Sequence, residues 1–234
     1  MTQHPLQGCT ESEVPWFQRR SFLQAAATWT ATGGFAAAQA QSRSNVVDRH
    51  GQALVNGQPL RPQQSIATGD EIITGPNSQL IFVIGNSAFQ VRQNSRLTVE
   101  RGSTINVVSV LRLLTGAVAS VWGKGTARQV VTPTLTAGIR GTGVYTEVFG
   151  KDHLRTYFCD CYGTVALNSA KSRLVSSAVY HQPYWADTQD GGTGALTHAQ
   201  AMNHTDAELE FLAGLVNQKT AWQLSGQKSD THPD

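Results

Sequence analysis

The stretch Tyr157-Phe158-Cys159-Asp160-Cys161-Tyr162-Gly163 sets two of the chain's three cysteines one residue apart, among aromatic side chains. On a β-strand, residues i and i+2 point to the same face, with Cβ atoms about 6.6 Å apart at a rise of roughly 3.3 Å per residue. A disulfide wants Cβ atoms about 3.8 Å apart, so an intact strand disfavours closing this pair. Two thiolates on one tetrahedral ion, with bonds of about 2.3 Å, lie about 3.8 Å apart, and two inward-leaning Cβ–Sγ bonds cover that gap. The spacing therefore favours shared metal ligation over a local bridge. Two coordination positions are left, and the histidines are the candidates to fill them. His181 sits between Tyr180 and Gln182-Pro183, in a rigid aromatic setting, and His204 directly precedes a helix N-cap. His153 stands at the start of the cysteine-bearing strand. Cys159, Cys161, His181 and His204 would form a closed Cys2His2 site of structural zinc type, while soft thiolates also suit iron or copper(I). With one histidine missing, the same pair would carry an open, reactive position.

Other readings of these residues stay open. A cysteine pair flanked by Tyr and Phe can be buried apolar filling, or a redox dithiol or disulfide at a bulged strand. His204 can be no more than the residue before a cap, and His181 a hydrogen-bonded core histidine. His4, His50, His198 and His232 fall in the leader, loops or tail and are expected to be solvated.

The compartment decides what such thiols can do. Arg19-Arg20-Ser21-Phe22-Leu23 precedes the uncharged, weakly apolar run AAATWTATGGFAAA and the small-residue site Ala38-Gln39-Ala40. The run is broken by Thr and Gly and is too short for a stable membrane-spanning helix. The paired arginines resemble a twin-arginine export signal, although Gln18 and Gln24 stand where that motif usually has Ser or Thr and Lys. An ordinary secretory signal or an uncleaved anchor is the alternative. Residues 1–40 are thus expected to be removed, Cys9 with them, placing the mature chain in the periplasm. There Cys159 and Cys161 meet an oxidising environment and are too few for a disulfide framework. A net charge of +2 implies neither a nucleic-acid face nor an acidic partner.

The elements that must position the cysteines are short. From Ala53 to Leu167, β-rich runs alternate with turn signals such as Asn56-Gly57, Gly75-Pro76-Asn77, Gly85-Asn86, Thr115-Gly116 and Gly150-Lys151-Asp152. Expected strands are Ala53–Val55, Glu71–Thr74, Gln79–Ile84, Ala88–Arg92, Arg96–Glu100, Thr104–Leu114, Ala117–Trp122, Arg128–Thr132, Gly143–Phe149, Leu154–Cys161 and Thr164–Leu167. Such spacing predicts an all-β roll, barrel or solenoid. Leu80-Ile81-Phe82-Val83-Ile84 is apolar throughout, which predicts a strand covered on both faces. Beyond Leu167 the composition shifts. Ser169–Ser177 is polar, Asp187–Thr197 reads as a glycine-containing loop, and a helix opens at Thr205. Glu208, three residues on, completes a capping box, and Leu209, Leu212, Leu215 and Val216 form an apolar stripe. The tail after Leu224 is polar. The chain thus divides into a signal (1–40), a β-domain (45–168), a C-terminal segment with loop and capped helix (169–224) and a disordered tail (225–234).

The ordered series GQALVNGQPL, TGDEIITG, NSQLIFVIGN, NSRLTV, LRLLTGAV, VVTP and AGIRGTGVYTEV resembles the FecR domain family over roughly residues 46–167. Its most telling piece is Thr132-Pro133 followed by Ile139-Arg140-Gly141-Thr142. YFCDCYG, the His181-Gln182-Pro183 step and the helix start HTDAEL resemble a subgroup of twin-arginine-exported FecR proteins. The resemblance implies an exported, all-β, roll- or solenoid-like domain with a short C-terminal helix. In the founding member, such a domain relays a signal from an outer-membrane transporter to a sigma factor. About eighteen residues precede the twin arginines here, so no cytoplasmic regulatory domain and no transmembrane signalling by this polypeptide alone are expected.

Enzyme signatures are absent: there is no phosphate loop, no G-x-S-x-G elbow and no H-E-x-x-H helix. Ile139-Arg140-Gly141-Thr142 could cradle an anion, but its glycine reads better as a sharp bend. Trp122, Trp185 and Trp222 could form a glycan platform or fill the core. The expected function is a non-enzymatic periplasmic FecR-type protein holding a metal ion, zinc or iron, through Cys159, Cys161 and the histidines. The alternatives are a metal-free adaptor or sensor binding an envelope protein or glycan, and a thiol-redox protein. Contact with a membrane would come only through an uncleaved signal.

Overall fold

β-Branched and aromatic runs separated by Gly and Asn turns leave the chain few options but sheet. The computed structural model describes residues 44–187 and 194–226; the expected signal over residues 1–40, the 188–193 part of the expected loop and the tail beyond 226 lie outside them. Fifteen strands form: β1 (Val46–His50), β2 (Ala53–Val55), β3 (Gln58–Pro59), β4 (Glu71–Thr74), β5 (Gln79–Ile84), β6 (Ser87–Val91), β7 (Arg96–Arg101), β8 (Val108–Trp122), β9 (Arg128–Val131), β10 (Thr136–Ile139), β11 (Gly143–Phe149), β12 (Arg155–Asn168), β13 (Arg173–Ala178), β14 (Gln182–Asp187) and β15 (Leu196–His198). Two helices follow, α1 (Asp206–Leu215) and α2 (Ala221–Ser225). The fold is all-β with a short C-terminal helical segment, as the turn spacing predicts.

The strands make two sheets. Sheet A runs β1-β5-β6-β8-β11-β12-β14-β15, antiparallel throughout. Sheet B runs β3-β2-β4-β7-β8-β9-β10-β12-β13, with a single parallel step between β8 and β9. Two strands belong to both sheets. β8 pairs with β7 up to Thr115 and with β11 from Gly116 onward. β12 pairs with β11 up to Tyr162 and with β13 from Gly163 onward. Each changes sheet at a glycine in the left-handed region, Gly116 (φ 77°) and Gly163 (φ 103°). A glycine ends a run of strand propensity, so the sequence predicts a break in both strands at these points. In the structure the glycine bends a strand that continues.

The inner face of sheet A packs on sheet B. Leu80, Phe82, Ile84, Phe89, Trp122, Val144 and Phe158 meet Leu97, Val99, Leu111, Leu113, Ile139, Val165 and Leu167 in one core. The outer face of sheet A is apolar as well. Ile81, Ala88, Ala119, Val121, Tyr145, Tyr157, Cys159 and Cys161 form a second core with Leu209, Leu212, Ala213 and Trp222 of the helices. This explains the unbroken apolar run in β5: Leu80, Phe82 and Ile84 serve the first core, and Ile81 the second.

Several elements were not legible. Residues 136–139 form β10, where only a bend was expected nearby. β13 and β15 arise in segments read as polar linker and loop, because their backbones find partners on β12 and β14. α2 is a further helix, with Thr220 as N-cap and Gln223 closing its capping box. The cap of α1 follows the reading: Thr205 accepts from the Glu208 amide, and Glu208 accepts from the Thr205 amide.

A Cβ added at Gly163 would lie 2.5 Å from Thr142 Cγ2, whereas one at Gly57, also left-handed, would meet nothing within 4 Å. Gly163→Ala is therefore expected to destabilise by more than the about 1 kcal/mol of backbone strain that Gly57→Ala incurs. Urea midpoints of the two variants measure the difference; equal losses would show that Gly163 is not a steric corner.

Candidate metal centre

β12 presents Cys159 and Cys161 on the outer face of sheet A, where alternation places them, and both thiols are fully buried. His181 stands in the turn between β13 and β14, with its backbone amide donating to the Cys161 carbonyl. His204 is fixed from the other side, directly before the N-cap of α1. The ligand atoms of Cys159, Cys161, His181 and His204 all lie within 4.8 Å of one another. Four residues spanning strand, turn and helix start thus converge on one point, and they are the four that the spacing argument selected. His153 is exposed in the turn before β12 and stands outside the cluster. His50 and His198 are exposed, while His4 and His232 lie outside the described residues.

The distances define the kind of site. His181 Nδ1 lies 3.1 Å from His204 Nε2 and 3.5 Å from Cys159 Sγ. A tetrahedral ion with metal–nitrogen bonds of about 2.05 Å and metal–sulfur bonds of about 2.3 Å would space such atoms about 3.3 Å and about 3.6 Å apart. These two spacings match the edges of a single-ion tetrahedron, and all four ligand atoms lie within 4.8 Å of one another.

Hydrogen bonding determines which ring atoms face inward. His204 Nδ1 is 2.7 Å from the Met202 carbonyl, which only accepts, so this nitrogen carries the proton and Nε2 presents its lone pair. His181 Nε2 is 2.9 Å from Asp206 Oδ1, so Nε2–H donates there and Nδ1 faces the centre. Two imidazole lone pairs opposed at 3.1 Å repel unless a cation stands between or beside them. In the absence of a metal, a proton takes that role. Burial alone would lower the His181 pKa, but Asp206 and the Cys161 thiol outweigh it and hold it up at about 9. Burial pushes the Cys161 thiol above its usual range, with Cys159 adding to the shift.

Aromatic rings wall the site. Tyr145 stacks on His204 with centroids 4.7 Å apart, and Trp222 of α2 stacks on His181 at 5.2 Å. Trp122 and Trp222 are core residues, and the partly buried Trp185 lies under the Arg155 guanidinium, so the three tryptophans do not make an open platform. Arg92 Nη2 reaches both Glu208 oxygens, at 2.7 and 2.8 Å, and ties the first turn of α1 to the end of β6. Cys159, His181 and Asp206 have the connectivity of a nucleophile–base–orienter chain. Both thiols are completely buried. Sequence reasoning missed Asp206, Tyr180 and the Met202 carbonyl. Asp206 is adjacent to the cap in the string His204-Thr205-Asp206, but nothing in that string shows that its carboxylate meets His181.

No family model matches the chain, and no curated protein matches it. Two crystal structures from Parabacteroides distasonis ATCC 8503, each of a candidate anti-sigma factor, are similar in part. The 2.50 Å structure shares 10% identity at a TM-score of 0.47, covering 57% of this chain and 60% of that one. The 1.65 Å structure shares 9% identity at 0.47, covering 62% and 65%. The likeness spans less than two thirds of those proteins and carries no statement about activity.

On the inner face of β12, behind the cysteines, Asp160 is fully buried. Burial raises its carboxyl to about 6, relieved in part by Ser176, the Ala178 amide and His181, and neither oxygen has a partner at hydrogen-bonding geometry. The native state therefore holds this proton more tightly than the unfolded chain does. Its contribution to stability is greatest at acid pH and is lost as pH rises from about 4 through about 6. Asp160→Asn is expected to stabilise the fold by on the order of 2 kcal/mol at pH 7.5 and by little at pH 4, measured by denaturant unfolding at both values. A constant difference across that window would show that the carboxyl does not titrate as its burial dictates.

Proposed function

We propose that this chain is a non-enzymatic, exported FecR-type module in which Cys159, Cys161, His181 and His204 bind one metal ion, zinc or iron, as a closed structural centre. The observation that carries this reading is the convergence of two thiols and two imidazole nitrogens at single-ion spacing, with both outer ring nitrogens already engaged. The ion joins the β12 strand of the sheets to the segment holding α1 and α2. It thereby pins the helices onto the outer face of sheet A. Periplasmic location rests on the twin-arginine-like leader, and the FecR assignment on the ordered motifs over residues 46–167. Export of an already folded protein suits a centre loaded before translocation. The module's partner is an envelope protein or glycan. A thiol-redox role has less support, because both sulfurs are sealed from solvent.

Natively exported protein is expected to contain one metal ion per chain by elemental analysis. Cys159→Ser with Cys161→Ser should abolish the metal and accelerate amide exchange in residues 199–226, while far-ultraviolet dichroism of the sheets persists. Full metal content in the double variant would end the proposal. Because the buried Cys161 thiol and His181 hold their protons without metal, loading releases at least these two protons. Apparent affinity should then fall by about a hundredfold or more per pH unit on acidification near pH 7, read by chelator competition. A flat pH profile would exclude thiolate ligation.

A further inference from the structure

We infer that Asp206 is a positioning residue of the centre: it holds His181 as an Nδ1 ligand and couples metal occupancy to the first turn of α1. The inference rests on the metal-centre reading and extends it beyond the four ligands. Asp206 Oδ1 accepts from His181 Nε2–H at 2.9 Å, and Oδ2 accepts from the Tyr180 hydroxyl at 3.1 Å, so both oxygens are committed. The contact is sealed, with 2% of the His181 side chain and 7% of the Asp206 side chain exposed.

Position on the helix adds a second constraint. Asp206 is the first residue of α1, a ten-residue helix, where the unpaired amides favour negative charge. The backbone there is fixed by the Thr205–Glu208 capping box, and Glu208 is held in turn by Arg92. The carboxylate is thus delivered by a turn that cannot shift without breaking three contacts. His204 lies two residues upstream in the same turn. One ligand and the orienter of another therefore come from a single three-residue stretch, His204-Thr205-Asp206.

Stacking on Trp222 confines the plane of the His181 ring but does not decide which nitrogen faces the sulfurs. Reversal of the ring about Cβ–Cγ would put Cδ2 where Nδ1 faces the centre and carry Nε2–H away from Asp206 Oδ1. The carboxylate makes that orientation costly and, by drawing on Nε2–H, raises the donor strength of Nδ1. Metal binding at Nδ1 in turn strengthens the pull of Nε2–H on Asp206. Ligation and helix docking become one event.

The test uses the full chain, loaded with zinc, in four forms: wild type, Asp206→Ala, Asp206→Asn and Glu210→Ala. Glu210 accepts from Trp222 Nε1 at 2.6 Å and is the control, since its loss loosens the helices without touching a histidine. Zinc affinity comes from competition with a chromophoric chelator, and ring orientation from nitrogen–proton spectra of the imidazoles. Asp206→Ala is expected to lose about 100-fold in affinity and the His181 Nε2–H signal. Asp206→Asn, whose amide oxygen still accepts, should lose about tenfold and keep the signal. Glu210→Ala should lower the thermal midpoint, lose less affinity than Asp206→Asn and keep the His181 Nε2–H signal. If Asp206→Asn binds zinc as wild type does and Asp206→Ala behaves like Glu210→Ala, the role is structural only and the inference is overturned. Failure of the wild type to bind zinc would instead overturn the metal centre itself.

Discussion

Two imidazole nitrogens facing each other at 3.1 Å are the constraint on which the rest of this structure turns. Neither ring can rotate away to relieve the opposition, because a main-chain carbonyl holds one from behind and a carboxylate holds the other. Lone pairs held together in this way require positive charge, from a proton or from an ion. In the proposed centre the two buried sulfurs beside them would select the ion, since sulfur and imidazole nitrogen together suit a borderline-soft ion at tetrahedral geometry.

The surrounding architecture follows from where that point lies. It sits outside the main sandwich, on the far face of sheet A, so this face must be apolar and must be covered. Ala88, Ala119 and Val121 give it a shallow surface, and Leu209, Leu212 and Trp222 close over it. A helix of ten residues with two short apolar ridges is a weak element alone, since isolated helices of that length are marginal in water. Here its first turn is clamped at three places, by the capping box, by Arg92 and through Asp206 by His181. The covering segment and the centre stabilise each other, and neither is complete without the other.

The two long strands explain how one chain reaches both sides of the sheet. β12 carries the cysteines on its first half, turns at Gly163 and gives its second half to the other sheet. Phe158 and Asp160 project inward while Cys159 and Cys161 project outward. The seven residues Tyr157–Gly163 are therefore strand, thiol pair and corner together. The cost of this arrangement shows at Asp160, whose carboxyl is buried on the inner face because its neighbours on either side project outward.

Local chemistry determined much of this protein from the sequence alone. Turn residues at short intervals dictate an all-β chain, period-two alternation puts Cys159 and Cys161 on one face, and Thr205 with Glu208 dictates where a helix begins. Each of these is an interaction between residues within a few positions of one another. The identity of the four clustered residues was also legible, because few side chains in the chain can bind a soft ion. What only the tertiary structure decided is everything carried by long-range pairing: that β8 and β12 run on through their glycines, that residues 173–178 become an edge strand, and that the outer face of sheet A is a second core. Asp206 belongs to the same category. Nothing in its neighbourhood along the chain distinguishes a helix-capping aspartate from one that orients a histidine, and only the docking of α1 against the turn at His181 brings the carboxylate to the ring.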